Sequence, residues 1–183
     1  MKLDDIQARE SAHFLPVVKR LPIALVNTDA VPGLANRAAG RLAARIFVGF
    51  EAAAPVFERA GSKGRVRVPG VPLRRALVET FAGAPPRRQP ELPIRLLVFG
   101  GSQGARALNL AVAAWIDRGL PPELCLIWAA GRGQFDAFKQ YDRADVRVVP
   151  YLSPIADAYA ASDLAFVRGG MMGTSELCAW GVP

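Results

Sequence analysis

The sequence predicts an α/β fold in which helices pack on parallel β-sheet. Short apolar runs rich in Val, Ile and Leu recur along the chain, and segments with helical spacing of apolar residues separate them. Strands that alternate with helices in this way are typical of βαβ units, whose strands run parallel. At 183 residues and 51% hydrophobic, the chain is also long enough to bury a hydrophobic core.

The predicted strands are apolar and β-branched runs of four to six residues, such as "IRLLVF" at 94–99. In chain order they lie at 22–26, 45–49, 65–68, 94–99, 124–128, 146–149 and 164–167. Most of the intervening segments repeat apolar residues at the spacing of a helix turn. These predicted helices lie at 31–43, 52–60, 103–117, 133–140, 154–161 and 171–180.

A stretch rich in proline and charge, "FAGAPPRRQPELP" at 81–93, interrupts this alternation. Such composition is typical of a segment between domains. We therefore predict a partial first α/β domain at 1–80, a linker at 81–93 and a second α/β domain at 94–183.

The net charge of +7 favours an anionic partner, which is nucleic acid, anionic lipid or a phosphorylated substrate. No nucleic-acid-binding motif contains the arginines, so nucleic acid is not a predicted partner. The longest apolar runs are shorter than the roughly 18 residues that span a bilayer, which predicts a cytoplasmic protein. Cys125 and Cys178 lack metal-ligand spacing and His13 is the single histidine, so neither a metal site nor a disulfide is predicted.

A glycine-rich segment follows the predicted strand at 94–99, where open parallel sheets bind their ligands. The segment reads Gly100, Gly101, Ser102, Gln103 and Gly104. Glycines allow backbone N–H groups to approach an anion, and the positive end of the following helix points at the same place. The residues alone leave two alternatives open, an ordinary tight turn and a phosphate-binding loop.

Two further strand ends lie at the same predicted edge. Strand 146–149 leads into "PYLSPI", in which Ser153 is placed to cap a helix. Strand 164–167 leads into Arg168, and Glu176 follows one helical stretch later. Glu176 is either a solvated carboxylate or an acceptor for the two hydroxyls of a ribose, and Arg168 is either a surface cation or the partner of that carboxylate.

Arginines also mark two places in the first half of the chain. Arg37, Arg41 and Arg45 recur at a spacing of four, which places them on one stripe of a predicted helix. The stripe is either a solvated face or a contact with anionic lipid headgroups. Arg74 follows a proline turn in "VPGVPLRR" and pairs either with a ligand phosphate or with solvent.

These motifs resemble one known family. "GGSQGARALN" followed by "YLSPIADAYAASDLAFVRGGMMGTSELCAWGVP" is similar to the C-terminal half of the MurG family. "NTDAVPGLANR" and "VPGVPLR" are similar to that family's "HEQN-x-x-x-GLxNR" and "GNPVR" segments, in the same order. The resemblance covers roughly residues 20 to 183. It implies the GT-B glycosyltransferase architecture of two Rossmann-like domains, both incomplete in this chain.

The resemblance also implies an activity. MurG enzymes move N-acetylglucosamine from UDP-N-acetylglucosamine to lipid-linked N-acetylmuramyl-pentapeptide, with inversion and without an obligatory metal or other cofactor. They serve peptidoglycan synthesis, and hence cell shape and division, as peripheral proteins on the inner face of the cell membrane. The implied partners are the nucleotide-sugar donor, the lipid-linked acceptor and an anionic membrane surface.

Matching positions carry the family's donor contacts onto this chain. Ser102, Gln103 and the loop amides would meet the diphosphate, and Arg74 would approach the donor from the interdomain side. Leu152 would offer backbone groups to the uracil, and Glu176 would accept the ribose hydroxyls. The full implied donor set is Arg74, Gly100, Gly101, Ser102, Gln103, Gly104, Leu152, Ile155, Gly170 and Glu176.

The chain also departs from the family pattern. It has no glycine-rich histidine loop, and His13 is not its counterpart. Where the family has "HEQN", this sequence reads "VNTD" at 26–29, which leaves Asp29 as the one acidic candidate for a general base on the acceptor side. The family pattern also continues beyond Pro183. The alternative to a transferase is therefore a non-catalytic fragment or relic that still binds a UDP-sugar or phosphate.

Overall fold

The computed structural model describes residues 22–82 and 90–183. The chain divides into two compact units, Met1–Pro72 and Leu73–Pro183, and each contains its own parallel β-sheet. His13 and residues 83–89 of the predicted linker lie outside the described residues.

The first unit has a three-stranded sheet in the order β1-β2-β3, with all described pairings parallel. Its elements are β1 (Ala24–Asn27), α1 (Leu34–Leu42), β2 (Arg45–Val48), a 3₁₀ turn (Glu51–Ala53), α2 (Ala54–Phe57), a π-helical turn (Glu58–Ser62) and β3 (Val66–Arg67). Ile46, Val48 and Phe57 form the centre of its buried core. The two strand residues come from one face of β2, and Phe57 comes from the helical segment that covers it.

Helix α1 is shorter than the sequence predicts. The predicted stripe of three arginines on one helix is therefore wrong at Arg45. Ala43 is already extended, with ψ 133°, and Arg45 pairs with Ala24 as the first residue of β2. Only Arg37 and Arg41 therefore belong to α1. The alanine-rich sequence favours a longer helix, but the parallel pairing of β2 with β1 ends it.

The second unit has a four-stranded parallel sheet in the order β6-β5-β4-β7. Its elements are α3 (Arg75–Ala82), β4 (Ile94–Phe99), α4 (Arg106–Asp117), β5 (Leu124–Ala129), α5 (Phe135–Phe138) with a 3₁₀ turn (Lys139–Tyr141), β6 (Val146–Val149), α6 (Ile155–Ala161), β7 (Leu164–Val167) and α7 (Met171–Trp180). The order changes direction at β4, because β5 lies on one side of it and β7 on the other. Crevices at the carboxyl ends of strands bind ligands at such points.

Strand β4 is buried on both faces. Leu96 and Val98 pack into a cluster that contains Trp128 on β5, whereas Leu97 packs into a second cluster with Tyr159 and Trp180. A strand covered by helices on both sides reads as a continuous apolar run, which is why "IRLLVF" gave so clear a strand signal.

Within the described residues, each predicted strand and helix has a counterpart whose bounds differ by a few residues. Two details were wrong. Helix α3 was not predicted, although Leu77 and Phe81 mark one apolar face of it and Phe81 contacts Trp180 at 5.3 Å between ring centroids. Helix α6 starts at Ile155 with extended Pro154 at its N-cap, and among the described residues no side chain caps it, so Ser153 is not the cap.

Candidate functional site

The glycine-rich segment turns sharply between β4 and α4. Gly101 and Gly104 both have positive φ, at 96° and 80°, and the Gly104 N–H donates to the carbonyl of Gly101 at 3.0 Å. A Cβ on Gly100 would lie 2.4 Å from the Cβ of Ala105. The segment therefore needs glycine both for its backbone conformation and for its tight closure.

The loop after β5 fixes the position of this turn. A Cβ on Gly104 would lie 2.1 Å from the carbonyl oxygen of Ala130, and the Arg132 N–H donates to the carbonyl of Ser102 at 3.1 Å. The buried Asn109 side chain donates to the same Ala130 carbonyl at 2.7 Å and accepts from the Trp128 indole N–H at 3.0 Å. The loops after β4 and β5 thus pack backbone against backbone, and the hydrogen bonds of the buried Asn109 side chain lie next to this contact.

Helix α4 supplies the positive end of a dipole directly after this loop. It runs for 12 residues from Arg106, and the N–H groups of a helix's first turn have no acceptor within the helix. Such a terminus favours an anion by both hydrogen bonding and charge. The turn and the helix together can bind a phosphate group.

A cavity of about 320 Å³ opens beside the glycine-rich turn. Its volume is in the range of small-molecule sites. The lining comes from the strand ends of β4, β5 and β6, from α6 and α7, and from Arg74. The lining residues are Arg74, Phe99, Gly101, Ser102, Ala129, Pro150, Tyr151, Leu152, Ile155, Met172, Gly173 and Glu176.

Glu176 is the acidic residue of this cavity. It is only 4% exposed. Arg74 donates from Nε to Oε1 at 3.0 Å and from Nη2 to Oε2 at 3.2 Å, and the Tyr159 hydroxyl donates to Oε2 at 2.9 Å. A buried carboxylate needs such partners to remain charged. Of the alternatives that the sequence left open, the solvated carboxylate and the pairing with Arg168 are both wrong, because the partner is Arg74.

Tyr159 supports the carboxylate from the core side. Its ring is 1% exposed and packs against Phe99 and Trp180. Burial raises the pKa of the Tyr159 phenol well above its ordinary value, and the hydrogen bond to the Glu176 carboxylate raises it further. The hydroxyl therefore stays protonated at neutral pH and remains a donor to the carboxylate.

Replacing Tyr159 with phenylalanine is expected to lower the free energy of unfolding of the second unit by about 1.5–3 kcal/mol, because it removes a hydrogen bond to a buried charge and keeps the ring contacts. Urea unfolding followed by tryptophan fluorescence measures this, since all three tryptophans lie in the second unit. Tyr141→Phe is the control. Its hydroxyl contacts the exposed Asp117, so a change within about 0.5 kcal/mol is expected. Equal losses in the two variants would contradict the role of Tyr159.

The structure brings together some of the sequence-predicted donor residues. Arg74, Gly101, Ser102, Leu152, Ile155 and Glu176 all line the cavity, whereas Gly100, Gln103, Gly104 and Gly170 stand outside its lining. Gly170 is the N-cap of α7. Arg168 is exposed, and its Nη2 lies 3.5 Å from the position that a Cβ would take on Gly101.

Sequence reasoning missed three aromatic residues and an arginine at the site, and the first of the aromatic residues is Phe99, at the end of β4. Tyr151 lines the cavity, and the Arg132 guanidinium lies 4.4 Å from the centroid of its ring. Tyr159 lies four residues after Ile155 on α6, on the same face of that helix. Tyr151 and Tyr159 lie close in sequence to the predicted site residues Leu152 and Ile155, and this position could have indicated them. Aromatic residues at such places usually indicate packing, however.

The acceptor-side candidates lie in the first unit. Asp29 is exposed after β1, and its carbonyl accepts from the Asn27 side chain at 2.6 Å. Asn27 is 1% exposed and accepts from Asn36 of α1 at 2.9 Å. These contacts fix the backbone around Asp29. The described part of the chain contains no cluster of three or more His, Cys, Asp or Glu side chains that could hold a metal ion.

A parallel sheet with a glycine-rich turn, a helix N-terminus and a buried carboxylate at one edge defines the Rossmann type of fold, in which this edge is the usual place for nucleotides. Residues 95–183 match a family model described as the glycosyltransferase family 28 C-terminal domain. The resemblance to the MurG family that the sequence motifs indicated is thereby confirmed.

Two curated relatives illustrate the similarity. Proteins from Solibacter usitatus and Sorangium cellulosum are 35% identical over 173 residues and 40% identical over 172 residues. Both are named UDP-N-acetylglucosamine–N-acetylmuramyl-(pentapeptide) pyrophosphoryl-undecaprenol N-acetylglucosamine transferase. The matches cover 91% and 89% of this chain, but only 45% and 40% of the relatives. The chain thus spans less than half the length of the curated relatives it matches.

A solved structure supports the fold. The crystal structure of MurG from Acinetobacter baumannii aligns with a TM-score of 0.58 at 24% identity, over 87% of this chain and 43% of that one. The predicted α/β fold of the GT-B type is thereby confirmed.

Proposed function

We propose that this chain binds UDP-N-acetylglucosamine and belongs to an enzyme that transfers N-acetylglucosamine to lipid-linked N-acetylmuramyl-pentapeptide in peptidoglycan synthesis. The observation that carries the proposal is the buried carboxylate of Glu176 in the same cavity as Gly101 and Ser102. One cavity can thus accept ribose hydroxyls at one side and a diphosphate at the other. The names of the relatives, which describe this transfer, support the same assignment.

Each side chain has a proposed role in donor binding. Ser102 and the amides of the glycine-rich turn bind the diphosphate, and Leu152 and Ile155 contact the uracil. Glu176 accepts the ribose hydroxyls. When the acceptor hydroxyl attacks the anomeric carbon, its proton passes to a general base, the bond to the diphosphate breaks with inversion and negative charge grows on UDP. The N-terminus of α4 stabilises that charge, and no metal is required in this scheme.

Calorimetric titration of the full chain with UDP, UDP-N-acetylglucosamine and ADP tests donor binding. Saturable heat with both uridine ligands and none with ADP is expected. The absence of uridine-dependent heat would overturn the proposal.

Transfer of labelled N-acetylglucosamine to a lipid-linked acceptor tests catalysis separately. Asp29 stays a candidate general base, so Asp29→Asn is the variant to compare. Donor binding without any transfer would favour the alternative function, a UDP-sugar-binding module without catalytic activity.

We also propose that α1 contacts an anionic membrane surface from the cytoplasmic side. Leu34 and Leu42 are 82% and 76% exposed on this helix, and Arg37 and Arg41 share the exposed side with them. Apolar residues flanked by arginines are typical of helices that lie in the headgroup region. Within residues 22–82 and 90–183, no helix combines the length and hydropathy needed to cross a bilayer.

The double variant Arg37→Gln, Arg41→Gln is expected to weaken binding to phosphatidylglycerol vesicles by about 30-fold, at about 1 kcal/mol per arginine near the surface. Co-sedimentation at two salt concentrations measures the effect. Arg45→Gln is the matched control, because Arg45 is exposed but lies on β2. Equal effects of the double variant and the control would contradict a specific role for α1.

A further inference from the structure

The guanidinium of Arg74 contacts Glu176 in the way that a ribose would. It presents two donors, Nε–H and Nη2–H, to the two carboxylate oxygens at 3.0 and 3.2 Å. The 2′- and 3′-hydroxyls of a ribose also form a pair of neighbouring donors that fits one carboxylate. Arg74 therefore occupies the hydrogen-bonding positions that the proposed donor needs.

The two partners of Glu176 differ in their surroundings. Tyr159 is buried in the core beneath the carboxylate, whereas the Arg74 side chain is 54% exposed and lines the cavity. A ligand that enters the cavity can thus displace Arg74 and leave the Tyr159 contact in place. Tyr159 would then hold the carboxylate in position during the exchange.

Charge limits where the displaced guanidinium can go. A bound diphosphate places negative charge in the same cavity as the buried Glu176 carboxylate, and two such anions repel each other strongly outside water. Ribose hydroxyls replace the hydrogen bonds of Arg74 but not its positive charge. Arg74 lines the cavity together with Gly101 and Ser102, so a diphosphate bound at the glycine-rich turn would give it a new anionic partner in the same cavity.

We infer that Arg74 is a specificity-determining residue that exchanges partners, leaving Glu176 for the diphosphate when a nucleoside diphosphate binds. The inference rests on the proposed function, since it takes Glu176 as the ribose acceptor. A nucleoside without phosphate would break the ion pair and supply no new anion for Arg74, whereas a nucleoside diphosphate supplies one. Arg74 thus selects phosphorylated donors over free nucleosides.

Titration of the full chain and its Arg74 variants with uridine and with UDP tests this exchange, with binding followed by NMR for the weaker ligand. In Arg74→Ala, uridine is expected to bind more tightly and UDP more weakly, so that the preference for UDP over uridine falls about 10- to 100-fold, the value of a charge-assisted hydrogen bond. Arg74→Lys keeps the positive charge but lacks the two N–H groups of the guanidinium that bind both carboxylate oxygens. It should bind uridine more tightly and retain most of its UDP affinity. Arg75→Ala is the control, because Arg75 is exposed and pairs with Glu79.

The outcomes separate the two proposals. Uridine binding that rises in both Arg74 variants, or that is detected only in them, supports the exchange. Equal loss of uridine and UDP affinity in Arg74→Ala would overturn it, because Arg74 would then merely support the site. Unchanged uridine affinity would overturn it too, since Arg74 would not compete with the ribose. If neither ligand binds the parent chain or any variant, the proposed function itself fails.

Discussion

Replacing Glu176 with glutamine is expected to weaken UDP binding by about two orders of magnitude. Two ribose hydroxyls would lose a charged acceptor, and each hydrogen bond to a charged group contributes about 1–1.5 kcal/mol more than one to a neutral group. The substitution keeps the size of the side chain, and the Tyr159 hydroxyl can still donate to the glutamine carbonyl. The effect therefore reports the lost charge rather than a lost fold. Glu79→Gln, an exposed glutamate paired with Arg75, is the control and should bind UDP as the parent does.

A ligand without the hydroxyls makes this test specific. In the parent chain, 2′,3′-dideoxy-UDP should bind far more weakly than UDP, because the buried carboxylate would remain without its ligand donors. In Glu176→Gln the difference in affinity between the two ligands should be much smaller. If the parent chain already binds both equally, Glu176 does not accept the ribose, and the donor would have to lie differently in the cavity.

The sequence predicted the edge of the sheet where the site lies because strand ends are local features. Strand β4 is a continuous apolar run, and the glycines that follow it mark a turn whatever its function. Parallel topology then places the loops after β4 and β6 at one edge. For these reasons Ser102, Leu152 and Glu176 were predicted together before their geometry was known.

The contacts between side chains could not be predicted in the same way. Arg74 and Glu176 are 102 positions apart, and nothing local distinguishes Arg74 from Arg168 as the partner of the carboxylate. The position of the Arg74 side chain depends on α3, which begins at the next residue. This helix of eight residues follows two prolines and precedes the proline-rich segment. Such flanking residues indicate a loop. The packing of Leu77 and Phe81 against the rest of the second unit stabilises the helix instead.

Replacing Gly104 with alanine is expected to destabilise the second unit by about 3 kcal/mol or more and to abolish UDP binding. The positive φ of 80° alone costs an L-residue about 1–2 kcal/mol. The new Cβ would also lie 2.1 Å from the Ala130 carbonyl oxygen, so the loops after β4 and β5 would have to separate. Their separation would break the contact between Arg132 and Ser102 and move the turn that binds the diphosphate.

Gly119→Ala isolates the contribution of the clash. Gly119 has a φ of 97°, yet apart from its own chain neighbours no heavy atom of the described residues lies within 4 Å of the position its Cβ would take. Alanine at position 119 costs only the free energy of placing an L-residue at positive φ. It should leave the affinity for UDP unchanged. Urea unfolding followed by tryptophan fluorescence, together with UDP titration, compares the two variants. If both lose the same stability and both still bind UDP, the backbone contact between the two loops does not hold the phosphate-binding turn in place.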